Sequence, residues 1–273
     1  MLTWGKRTYL MGIVNVTPDS FSDGGQYFDL DSAVHQGKKL VAEGADILDI
    51  GGQSTRPGAV IISLEEELRR VIPVVQALAP EITMPISVDT TRSLVAAQAI
   101  TAGATWVNDV SGGTDDPELL HVVARSGATL VLMHRRGTSE TMQNLTNYQD
   151  LMGEIWAFLA QQRDKAQQLG IEKIILDPGV GFAKNTEQNL TLLRELAHFQ
   201  NLNCPILVGP SRKSFIGQIL NQPDPQNRVW GTAAACCAAI AQGADILRVH
   251  DVAEIKQVIQ VADALWRGHG VAS

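Results

Sequence analysis

The 273-residue sequence is poor in aromatic residues and cysteines, has no surplus of positive charge, and contains no long apolar run. Each shortage excludes something. Aromatic side chains make up only 5% of a chain that is 45% hydrophobic, so its core must be built from aliphatic residues. Lys and Arg number 22 against 29 Asp and Glu, a formal net charge of −7. Nucleic acids and anionic membranes are gripped by clustered Lys and Arg, so neither is an expected partner. The three cysteines, Cys204, Cys236 and Cys237, make no disulfide framework, and neither C-x-x-C nor H-E-x-x-H occurs. They are expected to be buried small apolar side chains. No stretch approaches the ~18 apolar residues of a membrane span, and no apolar segment follows Lys6 and Arg7 as in a signal peptide. A cytoplasmic location is the expectation.

What the chain does have is a repeat. Gly44-Ala45, Gly103-Ala104, Gly127-Ala128 and Gly243-Ala244 each lead, after one residue, into a short apolar run that ends on a polar side chain. Gly170 opens a looser fifth copy that runs to Asp177. Each glycine follows an amphipathic stretch and suits a helix C-cap, and each apolar run suits a strand buried on both faces. Three further strands, over 9–16, 86–89 and 206–208, lack the Gly-Ala lead. The helical stretches between them fall at 32–43, 63–78, 93–102, 118–125, 148–169, 186–199, 228–242 and 252–267. Eight units share the length at roughly 34 residues each, close to a βαβ repeat. Alternating β and α allows an open doubly wound sheet or a closed barrel, and eight similar units favour the barrel. The predicted fold is α/β: a (β/α)8 TIM barrel, one domain over 1–273, with eight parallel strands and outer helices.

Chemistry in such barrels sits at the carboxyl ends of the strands. Those ends carry Asn15, Asp49, Asp89, Asn108 with Asp109, His134, Asp177, Ser211-Arg212-Lys213, Arg248 and His250. Any one Asp or Asn there is explained as a cap for the next helix. The set is not, because so many polar groups are costly to desolvate without a ligand. Carboxylates and amides read the donor-rich edge of an amino-pyrimidine-like ring. Lys213, Arg248 and His250 supply positive charge and donors for an anion. Together they suggest a heterocycle carrying a phosphate or diphosphate. Two Gly- and hydroxyl-rich loops, over 17–25 and 51–59, follow the first two strands and are suited to covering a site. The Glu65-Glu66-Glu67 run reads as a solvated first helical turn.

The sequence resembles the dihydropteroate synthases, pterin-binding enzymes of folate and tetrahydrofolate biosynthesis, over essentially its full length. The blocks are Met11 through Gly25, Asp49 through Gly58, Ser87-Val88-Asp89-Thr90, Asn108 through Gly113, Leu132-Met133-His134, Arg136-Gly137-Thr138, Asp177 through Phe182, Gly209 through Ser214, and Arg248-Val249-His250-Asp251. Gln53 and Arg135 depart from the pattern, standing where Glu and an uncharged residue are frequent. The resemblance implies a transferase joining 6-hydroxymethyl-7,8-dihydropterin diphosphate to 4-aminobenzoate, giving 7,8-dihydropteroate and diphosphate. It implies that Asp89, Asn108, Asp177 and Lys213 hold the pterin. Arg248 would stack on the ring and join Asn15, Thr55, Arg56 and His250 around the diphosphate. Thr55, Arg56, Pro57, Phe182, Ser211 and Lys213 would surround the aminobenzoate. Catalytic roles fall to Arg248, His250, Lys213 and Asp89, with Asn15 as the contact to a Mg²⁺ cofactor. Sulfonamide sensitivity and a homodimer built on the late helices are further implications. A pterin-dependent methyltransferase domain would share the barrel and pocket, but it has no use for a diphosphate site or the 54–58 loop. A non-catalytic pterin-binding protein should show erosion at the anion-binding residues, and none is visible.

Overall fold

The structure is a computed structural model that describes residues 2–17, 30–56 and 58–268. Strands and helices alternate along it: β1 (Tyr9–Asn15), α1 (Leu30–Glu43), β2 (Ile47–Gly51), α2 (Leu64–Leu78), β3 (Ile86–Asp89), α3 (Ser93–Ala102), β4 (Trp106–Asp109), α4 (Glu118–Ser126) and β5 (Thr129–Met133). The second half continues with α5 (Leu151–Gln168), β6 (Ile174–Asp177), α6 (Thr186–Arg194), β7 (Leu207–Val208), α7 (Ser214–Leu220), α8 (Val229–Ala241), β8 (Ile246–Val249) and α9 (Val252–Trp266). The strands run in the order β6-β5-β4-β3-β2-β1-β8-β7, and every pairing is parallel. A bridge between Leu176 and Ile206, with the Leu176 amide donating to Pro205 O at 3.0 Å, joins β6 to the start of β7. The fold is therefore the expected TIM barrel.

The period of two in each strand separates two cores. One parity, including Leu10, Val14, Leu48, Ile50, Val88, Leu130, Leu176 and Leu247, packs outward against the helices. The other parity packs inside the barrel, where Tyr9, Met11, Ile47, Trp106, Val131, Ile175, Leu207 and Ile246 form one apolar layer. Two residues further along the strands the same inward parity becomes polar: Asp49 after Ile47, Asn108 after Trp106, Asp177 after Ile175, and Arg248 after Ile246. Each of these four strands thus passes from barrel core to barrel mouth in a single step of its pleat.

The glycines that lead the repeat, Gly44, Gly103, Gly127, Gly170 and Gly243, all stand at positive φ, as the C-cap reading requires. Several expectations need correction. The sequence predicts one helix between β7 and β8, and the structure has two. At seven residues α7 spans too few turns to show a period. The helix expected over 186–199 stops at Arg194 and continues as a 3-10 segment, Leu196–Leu202. Cys236 is buried, but Cys204 and Cys237 are only half-buried. Glu67 is not solvated: it lies on the buried stripe of α2 with Val71, Val74, Val75 and Leu78. No helix among the described residues is long and apolar enough to cross a membrane.

Candidate active site

At the carboxyl end of the barrel a cluster of ion pairs and hydrogen bonds spans four strands. The guanidinium of Arg248, on β8, donates from Nε to Asp49 Oδ2 and from Nη2 to Asp89 Oδ2, both at 2.6 Å. Asn108, on β4, donates from Nδ2 to the same Asp49 oxygen at 3.1 Å. Burial works against the charge on Arg248, yet Asp49 and Asp89 overcome it and raise its pKa. Burial pushes Asp89 up to about 7 against the pull of Arg248, and nearby Asp49, Glu67 and Asp109 add to the rise. Two carboxylates share one cation, so the group accepts a proton more readily than an isolated Asp.

Asp177 closes β6 opposite this cluster. It accepts the Gly179 amide on Oδ1 at 2.7 Å. Burial pushes it up to about 6, opposed by that hydrogen bond and by Lys213, Lys184 and Arg248. Lys213 sets its ammonium 4.0 Å from the centroid of the Phe182 ring, a cation–π contact. Desolvation and the neighbouring Arg248 lower it to about 8, although Asp177 and Asp89 favour its charge. His250 is held on both sides: its Nδ1 lies 3.0 Å from Ser211 Oγ and its Nε2 lies 3.4 Å from Asn15 Nδ2. Burial, then Arg212, Arg248, Arg56 and Lys213, push it down to about 3. The sequence suggests that Arg248 and His250 both offer positive charge to an anion. In the structure Arg248 is already paired with two carboxylates, and His250 is neutral and offers a hydrogen bond instead.

Asn15, Asp89, Asn108, Asp177, Phe182, Ser211, Lys213, Arg248 and His250 therefore meet at one mouth, as expected. Thr55 lines a cavity of about 250 Å³ together with Gln53, Asp89, Thr90, Arg92 and Arg135, beside the Asp49–Arg248–Asp89 cluster. Arg56 is exposed on the same loop, near enough to lower both His250 and Lys213. Pro57 and the 18–29 segment, which holds nearly all of the first covering loop, lie outside the described residues. A larger cavity of about 530 Å³ sits at the other end of the barrel, against Gly5, Cys204, Asp245 and Trp266. It gathers no comparable polar cluster, so volume alone does not mark the site.

Asp109 and His134 serve the fold and not the mouth, and Asp109 does not cap the next helix, whose N-cap is Pro117. Asp109 accepts the Ser111 amide, the Ser111 hydroxyl and the Gly113 amide, which organises its own loop. His134 is buried against Phe158 and Lys184 rather than open to a ligand. Sequence reasoning misses the side chains that hold the second covering loop. Glu67 accepts from Thr90 Oγ1 at 2.6 Å and pairs with Arg92 at 3.0 Å. Arg92 also donates to Ile62 O at 2.6 Å, and Arg70 donates to Gly52 O at 3.0 Å. The spacing of Glu67 from Val71, Val74 and Leu78 on α2 is the signal that would have placed it inward. Gln53 accepts the Ile62 amide at 2.8 Å and donates to Ser54 O and Val60 O at 2.9 and 3.0 Å, tying the two ends of the loop together. Arg135 is paired with Asp115 at the rim of the 250 Å³ cavity.

A barrel mouth of this composition is a site for a small polar ring bearing an anionic group. The model of the pterin binding enzymes matches residues 11–250, and the chain belongs to that family. It is 61% identical over 269 residues to a dihydropteroate synthase of Synechocystis sp., covering 98% of this chain and 93% of that one. Among solved structures it is similar to the Clostridium difficile dihydropteroate synthase in the presence of pteroic acid, with a TM-score of 0.92 and 46% identity, covering 98% of this chain and 100% of that one. The Xanthomonas albilineans dihydropteroate synthase with 4-aminobenzoic acid gives a TM-score of 0.90 at 43% identity, covering 96% and 94% of the two chains.

Proposed function

We infer that this chain is a dihydropteroate synthase, which condenses 6-hydroxymethyl-7,8-dihydropterin diphosphate with 4-aminobenzoate to form 7,8-dihydropteroate and diphosphate. The observation that carries the residue assignment is the convergence of Asp89, Asn108, Asp177 and Lys213 beside Arg248 and His250. Ionised Asp177 and Asp89 accept ring N–H groups, Asn108 adds an amide, and Lys213 donates to a ring acceptor. Arg248, planar and fixed in its plane by Asp49 and Asp89, presents a flat face on which the ring stacks.

The carbon–oxygen bond of the methylene breaks, and its electron pair leaves with the diphosphate. The arylamine nitrogen then forms the new carbon–nitrogen bond, and the proton it sheds is taken up by the diphosphate. An arylamine is neutral at pH 7, so no strong base is needed. The protein's task is to stabilise departing negative charge and to exclude water. Arg56, Asn15 and His250 do the first as hydrogen-bond donors around the diphosphate. The loop held by Gln53, Arg70 and Arg92 does the second. Thr55, Pro57, Phe182, Ser211 and Lys213 enclose the aminobenzoate.

Mg²⁺ belongs to the same reading. Among the described residues no group of three or more His, Cys, Asp or Glu could hold a metal. That suits an ion carried mainly by substrate phosphates and water, with the Asn15 amide oxygen as its protein contact. When bound, the ion would neutralise charge on the leaving diphosphate. Six of the twelve large exposed apolar side chains among the described residues lie on α7, α8 and α9, including Trp230, Val261 and Leu265. They support a homodimer through these helices, tested by sedimentation of the wild type and Trp230→Glu. A cytoplasmic location is supported by the three free cysteines. The decisive assay incubates the protein with pterin diphosphate, Mg²⁺ and 4-aminobenzoate and follows dihydropteroate and diphosphate. Absence of both products sinks the assignment.

A further inference from the structure

One buried cation has no part in the chemistry above. Lys184 is only 5% exposed, beneath the turn that links Asp177 to α6. Its Nζ donates to Phe182 O at 2.9 Å and Gly179 O at 3.0 Å, and lies 3.1 Å from His134 Nδ1. An ammonium has three protons and here meets three acceptors, whereas a neutral amine would leave one of them without a donor. His134 can accept on Nδ1 only as a neutral ring. Burial first, then Lys184 and Arg136, push it down to about 2, which keeps it neutral.

The turn is tightly specified around this ammonium. Gly179 stands at φ +74°, and a Cβ there would lie 1.9 Å from His134 O, so the turn rests directly on the end of β5. Ala183 is held at φ +50°, a strained conformation for a residue with a side chain. Its carbonyl accepts from Tyr148 Oη at 3.0 Å, and the Lys184 carbonyl accepts from Asn189 Nδ2 at 3.1 Å. Above the turn, the Lys213 chain crosses Gly181, whose Cβ position lies 2.7 Å from Lys213 Cδ, and its ammonium faces the Phe182 ring. The segment is thus clamped between two lysines. One faces the substrate and the other does not.

We propose that Lys184 is a positioning residue for the condensation: its ammonium fixes the Phe182 backbone, and with it the Phe182–Lys213 wall, and provides Asp177 with a further internal cation beside Lys213 and Arg248. The charged groups facing Asp177 are Lys213 after β7, Lys184 from its own turn and Arg248 on β8, while His134 after β5 is neutral. Lys184 in turn faces Asp177, Lys213 and Arg136. Burial pulls Lys184 down to about 7, and Asp177 opposes the fall, so each supports the charge of the other. The consequence is a division of effects. Losing the hydrogen bonds disturbs the aminobenzoate wall, while losing the charge makes Asp177 easier to protonate.

This inference rests on Asp177 and Phe182 contacting the two substrates, so wild-type turnover is measured first. Failure there overturns the proposed function and not the role of Lys184. With an active wild type, Lys184→Met should raise the KM for aminobenzoate about tenfold. Its pterin affinity at pH 8 should stay close to wild type, because Asp177 remains ionised there. The acid limb of its pterin-affinity profile should move up by about half a unit to one unit. Lys184→Arg, which keeps the charge, should leave that limb at the wild-type pH even where packing is disturbed. An unmoved limb in Lys184→Met, or a limb displaced equally in Lys184→Arg, overturns the proposal. So does a lowered melting temperature with both substrate constants preserved. If Lys184→Met does not fold, the limb of Lys184→Arg alone decides, since the proposal requires it to coincide with wild type.

Discussion

Replacing Asp177 by Asn separates the charge of this carboxylate from its shape. The amide keeps an oxygen to accept the Gly179 amide now bonded at 2.7 Å, so the turn is preserved. What disappears is one ionised acceptor facing the pterin. A hydrogen bond to a charged group is worth about 1.5–3 kcal/mol, roughly a 10- to 150-fold loss of pterin affinity at pH 8. The loss should depend on pH in a defined direction. Burial raises the Asp177 pKa to about 6, so at pH 5 about nine in ten wild-type molecules carry it protonated. The wild type then forfeits the same interaction, and the ratio of the two affinities narrows towards one. Asp89, raised to about 7, titrates in both proteins and largely cancels from the ratio. Stability runs the other way. A carboxyl raised above its unfolded value contributes stability fully below about pH 3.8 and loses that contribution as pH rises through about 6. Ionised Asp177 is thus kept for binding at a cost to folding. Titration calorimetry of a pterin with both proteins between pH 5 and 8 is the assay. Equal affinities at pH 8, or a ratio that stays constant with pH, refute the reasoning.

Other perturbations test separate parts of the site. Arg248→Ala leaves Asp49 and Asp89 buried without their cation, so it should destabilise the fold by about 3–5 kcal/mol in denaturant titrations. Arg248→Ala and His250→Ala should each lower kcat by about 10²–10³; a wild-type-like rate in Arg248→Ala would remove the ring-stacking assignment, and one in His250→Ala the diphosphate assignment. Gln53→Glu loses both donations to Ser54 O and Val60 O, and above about pH 5 it sets an anion against those carbonyls. Protease cleavage within 54–60 should therefore rise with pH in this variant only, and identical cleavage profiles contradict the latch. Sulfonamides should compete at the Phe182–Lys213 wall. Inhibition that excess aminobenzoate does not relieve counts against that placement.

The barrel was legible because its signal is local. Gly-Ala, a spacer and an apolar run recur at four of the eight strands, where a helix ends in a left-handed residue and a doubly buried strand begins. The polar residues that close those runs, Asp49, Asn108, Asp177 and Arg248, reveal the mouth by position alone, since pleat and parallel pairing carry all of them to one end. Glu67 was within reach through its spacing on α2, whereas α7 is too short to announce itself. Other features had no local trace. Which carboxylates share Arg248 depends on β2, β3 and β8 converging in the closed barrel, 199 residues apart along the chain in the case of Asp49. That His250 is neutral and Asp177 holds its proton up to about 6 follows from the burial imposed by neighbouring loops. Lys184 looks in the sequence like any surface lysine, and only the turn folded over it supplies three acceptors. The sequence by itself determined which groups stand at the strand ends, because that follows from backbone periodicity. Tertiary structure alone decided their pairing and charge, because Coulomb interactions and desolvation depend on distance through space.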